Sequence, residues 1–212
     1  MTAHTDWYDW HHDYVETGSP LSVRLRIVQR RIAEWLDARP EPSLTVVSMC
    51  AGQGRDLLEV LAGRPDADRV HARLLETDDR NAAIARDTVA AAHLGNVTLV
   101  QADAGDRASY RGAVPADLVL MAGVFGNITD ADVRTTVEVL PELCAPGATV
   151  IWTRTRAEPD LTRTIRSWFT GTGFVEESFD APDGMLISVG VHRFTRTPRP
   201  LADDGTFFRF VR

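Results

Sequence analysis

The run Val46-Val47-Ser48-Met49-Cys50-Ala51-Gly52-Gln53-Gly54-Arg55-Asp56 carries an apolar segment straight into a glycine turn. Leu44, Val46, Val47 and Met49 form an apolar run rich in β-branched residues, which predicts a buried strand. Beyond the turn, Leu57-Leu58-x-x-Leu61 reads as the start of a helix. A strand–glycine–helix unit presents unpaired backbone N–H groups and a partly positive helix end to a ligand. Gly52 and Gly54 carry no Cβ, so a ligand can lie directly on the backbone there.

Working outward, residues 70–78 read as a second strand that ends in acids. A carboxylate at that tip can accept both hydroxyls of a ribose. Glu76 lies 22 residues beyond Gly54, close to the spacing of a nucleotide site. Asp78 reads as the cap of the next helix, which is alanine-rich, runs over 80–94 and is closed by Gly95. Residues 97–100 are a third strand, followed by Gln101-Ala102-Asp103-Ala104. A turn-rich stretch leads into a fourth, strongly apolar strand at 115–122, which opens into Gly123-Val124-Phe125-Gly126-Asn127-Ile128.

Thr129 caps a helix with Val133, Val137 and Leu140 on its buried stripe. A fifth strand covers 149–153. Arg154 and Arg156 follow at its carboxyl end, where open α/β sheets bind ligands. Asp160 caps a further helix, with Leu161, Ile165, Trp168 and Phe169 inward. Residues 174–179 and 185–193 then read as a closing antiparallel hairpin. The tail, 206–210, reads as an extra edge strand.

Taken in order, these stretches resemble the class I S-adenosylmethionine-dependent methyltransferases. The first motif of that family runs hydrophobic–hydrophobic–acid–hydrophobic–Gly–x–Gly–x–Gly. Ser48 stands here in place of the acid, and Cys50 in place of the first glycine. The resemblance covers residues 44 to about 193. It implies a three-layer Rossmann-like α/β fold, whose mostly parallel seven-stranded sheet has an antiparallel C-terminal hairpin strand. It also implies S-adenosyl-L-methionine as cofactor. Ala51, Gly52, Gly54 and Asp56 would lie along it, with Glu76 and Thr77 at its ribose. Asp103 and the Ala104 N–H would read its adenine. Gly123 and Val124 would flank its methionine, with the Gly123 carbonyl on the amine. Asp117 matches the start of the family's fourth strand. Phe125 and Asn127 would face the reacting centre, where Asn127 either orients the substrate or closes the loop. Arg24 or Arg26, on a leading helix, would reach the methionine carboxylate.

Composition narrows the alternatives. The chain has 212 residues and 44% hydrophobic content, enough for one packed core. It contains no lysine, which excludes a P-loop, a Schiff-base enzyme and a protein kinase. Arginine and alanine richness without lysine suggests a high-GC bacterial genome. A net charge of −7 argues against non-specific nucleic-acid binding. No membrane span and no secretory leader are legible, so a cytoplasmic protein is expected. Cys50 and Cys144 are expected to be reduced thiols.

Domain organisation is expected as an N-terminal lid segment and helix over 1–40 and a cofactor-binding domain over 41–212. Ser19 and Pro20 start that helix, and Leu21, Leu25, Val28, Ile32, Trp35 and Leu36 share one face. Trp7, Tyr8, Trp10, His11, His12, Asp13 and Tyr14 crowd the segment before it. No metal is expected, because adjacent histidines point apart. If the acceptor needs a general base, His11, His12 and Tyr14 are the candidates, so the catalytic set is His11, Tyr14 and Asn127. The expected activity is methyl transfer to a small-molecule acceptor of secondary metabolism, without nucleic acid or membrane as partner; the oligomeric state, a homodimer included, is open. Three rivals stand beside it: a non-catalytic S-adenosylmethionine-binding domain, an NAD-dependent oxidoreductase and an aminopropyl transferase.

Overall fold

The computed structural model describes Glu16 and residues 18–211. In chain order the elements are α1 (Pro20–Asp37), β1 (Leu44–Ser48), α2 (Arg55–Ala62), β2 (Val70–Glu76), α3 (Asp79–Ala91), β3 (Val97–Gln101), β4 (Ala116–Met121), α4 (Asp130–Leu143), β5 (Cys144–Thr155), α5 (Thr162–Gly171), β6 (Phe174–Asp180) and β7 (Ile187–Phe194). Short 3-10 turns cover Ala67–Arg69 and Arg107–Tyr110. The expected lid segment, with His11, His12 and Tyr14, lies outside the described residues.

One seven-stranded sheet has the order β3-β2-β1-β4-β5-β7-β6. Strands β1 to β5 pair in parallel, and β7 enters antiparallel between β5 and β6. The class I fold read from the sequence is therefore the fold observed. An all-parallel dinucleotide sheet would have no such strand, so the oxidoreductase rival loses its architectural support.

Successive strand side chains point to opposite faces, and this splits the core in two. Val46, Leu74, Leu118, Leu120 and Ile151 face α1 and α2, packing on Val28, Ile32, Leu57 and Leu61. Val47, Leu75, Val119, Met121, Val150 and Trp152 face α4 and α5, with Val133, Val137, Leu140, Ile165 and Phe169. Trp152 stacks on Phe169 with ring centroids 5.8 Å apart. At β7, Gly190 lies opposite Trp152, and a Cβ there would come within 2.4 Å of the indole.

The predicted caps hold at Ser19, Asp78 and Thr129, whose side chains accept the first free N–H groups of α1, α3 and α4. Asp160 accepts the Thr162 N–H at 2.9 Å, one residue ahead of the formal cap of α5. Three expectations need correction. The alanine-rich helix ends at Ala91, because His93, not Gly95, takes the left-handed conformation (φ +54°). The fifth strand is longer than predicted, starting at Cys144. The tail is not an edge strand: it makes only isolated bridges, Asp106 to Thr206 and Ile128 to Phe210. Among the described residues no helix is long and apolar enough to cross a membrane.

Candidate functional site

β1 lies between β2 and β4, so the strand order reverses direction there, and open α/β sheets bind ligands at that crevice. The glycine turn leaves β1 at this point. Its backbone curls through left-handed conformations at Cys50 (φ +49°), Gly52 (φ +56°) and Gly54 (φ +70°). The first of these explains why a glycine suits the Cys50 position. A non-glycine residue there costs on the order of 1 kcal/mol. Gly54 is constrained a second way, since a Cβ would meet Leu58 Cδ1 at 2.7 Å.

The turn is tied to the neighbouring strand. The Ala51 N–H donates to the Leu75 carbonyl at 2.8 Å. The Gly52 N–H donates to Glu76 Oε2 at 2.7 Å. Glu76 Oε1 accepts the N–H groups of Thr77 at 2.9 Å and Asp78 at 2.8 Å. Burial raises the Glu76 carboxyl above its ordinary range, and these three donors oppose that shift. A carboxylate has about four lone-pair sites, so one more acceptor position is left after three bonds.

A cavity of about 590 Å³ opens over the turn, within the size range of small-molecule sites. Ala51, Gly52 and Asp56 line it on the β1 side, and Glu76 and Thr77 on the β2 side. Asp103 and Ala104 come from the loop after β3, Gly123 and Asn127 from the loop after β4. The structure thus brings nine of the sequence-predicted site residues together. Gly54 sits behind the turn against Leu58 and Leu74, and Val124 is fully buried in the core.

At the β3 end, Asp103 Oδ1 accepts the Gly105 N–H at 2.8 Å. Its Oδ2 makes no hydrogen bond among the described residues. At the β4 end, the Gly123 N–H donates to Thr153 Oγ1 at 2.8 Å, and the Asn127 side-chain amide donates to the Gly123 carbonyl at 2.5 Å. The Asn127 amide thus ties this loop together while the residue stays in the cavity wall. Asp117 is used by the scaffold, accepting the Thr45 N–H at 2.8 Å.

Asp56 enters the cavity wall from the first turn of α2 and is only 8% exposed. Burial pushes its carboxyl up to about 6, against the Leu57 N–H and the positive charge of Arg24. Arg24 lines the cavity and Arg26 does not. Desolvation and the carboxylates of Glu76 and Asp103 push the Cys50 thiol well up, so it is held protonated.

Two expectations fail at this site. Phe125 does not face the cavity: its ring is fully buried, 5.7 Å from Trp152. Arg154 and Arg156 are spent on the scaffold. Arg154 holds the Phe125 carbonyl and Asp130, and Arg156 holds the carbonyls of Pro182 and Met185. Sequence reasoning also missed part of the wall. Arg55 and Asn81 line the cavity, joined behind it through Gln53. So do Phe208, Arg209 and Phe210 of the tail, whose dense aromatics were the one available signal.

A family model described as "Putative methyltransferase" matches residues 22–175. No curated protein matches the sequence. Solved structures share the fold at low identity. An O-methyltransferase family protein from Burkholderia thailandensis aligns with a TM-score of 0.61 at 15% identity, over 85% of this chain; this chain spans 60% of that protein's length. Magnesium protoporphyrin IX methyltransferase from Synechocystis PCC 6803, with bound SAM, aligns at 0.65 and 14% identity, over 92% of this chain and 100% of the other. A possible exported protein from Bordetella parapertussis aligns at 0.65 and 19% identity, over 89% and 79%.

Proposed function

This chain belongs to the methyltransferase family whose model spans residues 22–175, and from that premise we propose that its cavity binds S-adenosyl-L-methionine for methyl transfer to a small-molecule acceptor. One observation carries the reading. Two carboxylates on neighbouring strand ends, Glu76 and Asp103, flank a bare glycine turn within one cavity. Ribose hydroxyls and an adenine amine are donors, and both carboxylates keep acceptor capacity toward such donors.

The residues fit the cofactor part by part. Glu76, already fixed by three N–H groups, would accept from the ribose without reorganising. Asp103 Oδ2 and the Ala104 backbone would take the base. Asp56 and the Gly123 carbonyl suit an ammonium group, and Arg24 a carboxylate. When bound, the sulfonium supplies a methyl electrophile with a neutral thioether as leaving group. The chain's own residues then have to orient two reactants and exclude water. Asn127 is a positioning residue, since it fixes the Gly123 carbonyl. His11 and Tyr14 are proposed as bases only for an acceptor that must lose a proton.

The acceptor is proposed as a small molecule of secondary metabolism, and the protein as cytoplasmic. The concave, mixed polar and apolar wall and the net charge of −7 support the first. A paired titration tests the cofactor assignment. S-adenosylhomocysteine should bind at one site per chain, and NAD should not. Saturable NAD binding without S-adenosylhomocysteine binding would overturn it. Cofactor binding with no methyl transfer to any acceptor would favour the non-catalytic rival.

A further inference from the structure

The tail is bonded to both loops that frame the cavity. The Phe207 N–H donates to the Gly105 carbonyl at 2.8 Å, and the Arg107 N–H to the Gly205 carbonyl at 3.1 Å. Further on, the Val211 N–H donates to the Asn127 carbonyl at 2.8 Å. Residues 205–211 therefore span from the loop bearing Asp103 to the loop bearing Gly123 and Asn127. The approach is close enough to restrict the sequence. A Cβ on Gly105 would lie 2.2 Å from the Phe208 carbonyl oxygen, so only glycine admits the tail there.

Three rings divide the work along this strap. Phe207 is an anchor: it is 2% exposed, lies 5.8 Å from Tyr110 and has the Arg107 guanidinium over its face. Phe208 is 3% exposed, packs edge-on against Phe207 and lines the cavity. Phe210 shares a face of the extended chain with Phe208 and stacks on it at 6.0 Å. It also lines the cavity, yet is 36% exposed. Its backbone bridges Ile128, next to Asn127. A supported aromatic ring thus stands at the β4 end of the cavity, beside the loop bearing Gly123 and Asn127.

We infer that this C-terminal strap is the acceptor-selecting wall of the site, with Phe210 as the side chain that stacks on a planar, apolar methyl acceptor. Phe208 holds the Phe210 ring in place, and Gly105 and Asn127 hold the strap. Aromatic pairs gain from offset or edge contact beyond simple burial, and a ring loses little rotamer freedom on contact. The inference rests on the reading that the cavity binds S-adenosylmethionine.

The test uses the full chain, with three variants: Phe210→Ala, Phe210→Tyr and Gly105→Ala. S-adenosylhomocysteine affinity is measured by calorimetry. Transfer of labelled methyl from S-adenosylmethionine is measured on a fixed panel of phenols, catechols, indoles and quinolines against aliphatic amines, alcohols and hydroxy acids. The wild type should bind S-adenosylhomocysteine and methylate planar members. Phe210→Ala should leave S-adenosylhomocysteine affinity within about twofold but raise KM for planar acceptors roughly three- to tenfold, with kcat less affected. Phe210→Tyr should restore KM, and Gly105→Ala, which unseats the strap, should weaken both ligands. An unchanged KM in Phe210→Ala, or a panel in which only aliphatic compounds are methylated, overturns the inference while cofactor binding stands. A wild type that binds no S-adenosylhomocysteine overturns the parent reading instead.

Discussion

Glu76 and Gly52 are joined by a 2.7 Å hydrogen bond, the Gly52 N–H donating to Oε2, so the acid ending one strand fixes the turn ending its neighbour. Glu76→Gln would turn an amide donor toward at least one of the three N–H groups now accepted. The expected cost is about 1–3 kcal/mol of stability, read by urea unfolding. S-adenosylhomocysteine affinity should fall roughly tenfold or more, since a charged acceptor is lost.

Asp56 is held at a cost to stability. Folded, its carboxyl keeps its proton up to about pH 6, against an ordinary value of 3.8. Between those values the folded chain binds more protons than the unfolded one, so this group lowers stability as pH rises through the window. Asp56→Asn should therefore stabilise the protein at pH 7 by about 1–3 kcal/mol while weakening S-adenosylhomocysteine. Wild-type affinity should itself decline as pH drops below about 6. Denaturation and calorimetry across pH 4–8 check both.

His192 acts in the opposite sense. Its Nδ1 accepts the Trp152 indole N–H at 3.1 Å, and Nε2 lies 3.5 Å from Glu176, which Arg166 also holds. Burial lowers its value to about 4 from 6.5, with Glu176 opposing. The unfolded chain then binds the extra proton, so stability drops as pH falls from about 6.5 toward 4. The two slopes oppose each other over most of one window. Relative to wild type, His192→Gln should make the slope of stability against pH less positive between about pH 4 and 6.5, and Asp56→Asn should make it more positive.

Gly190→Ala places a methyl group 2.4 Å from the Trp152 indole at the centre of the β5–β7 pair. Overpacking of this kind costs about 1–3 kcal/mol. Its S-adenosylhomocysteine affinity should match wild type while the protein stays folded, because neither residue lines the cavity. Unfolding curves paired with calorimetry separate the two effects.

The sheet and the glycine turn at the head of the cavity were legible because local rules and tertiary demand agree there. Val46 and Val47 go to opposite faces as strand period requires, and the turn at 50–54 needs residues that tolerate positive φ. Legibility failed where a side chain's direction depends on distant partners. Phe125 follows a strand end and could face cavity or core, and Trp152 draws it into the core. Arg154 sits where ligand-binding arginines sit, but Asp130 and the Phe125 carbonyl take it. The tail has the aromatic density of a strand, yet its bonding partners are two loops, and no local pattern encodes a loop as a partner.

A crystal structure with S-adenosylhomocysteine tests the central claim most directly. The expected result places ribose hydroxyls within hydrogen-bond distance of Glu76 and the adenine amine at Asp103, with the amino-acid end toward Asp56 and Gly123. Nucleoside density outside this cavity, or bound within it but touching neither carboxylate, would contradict the claim.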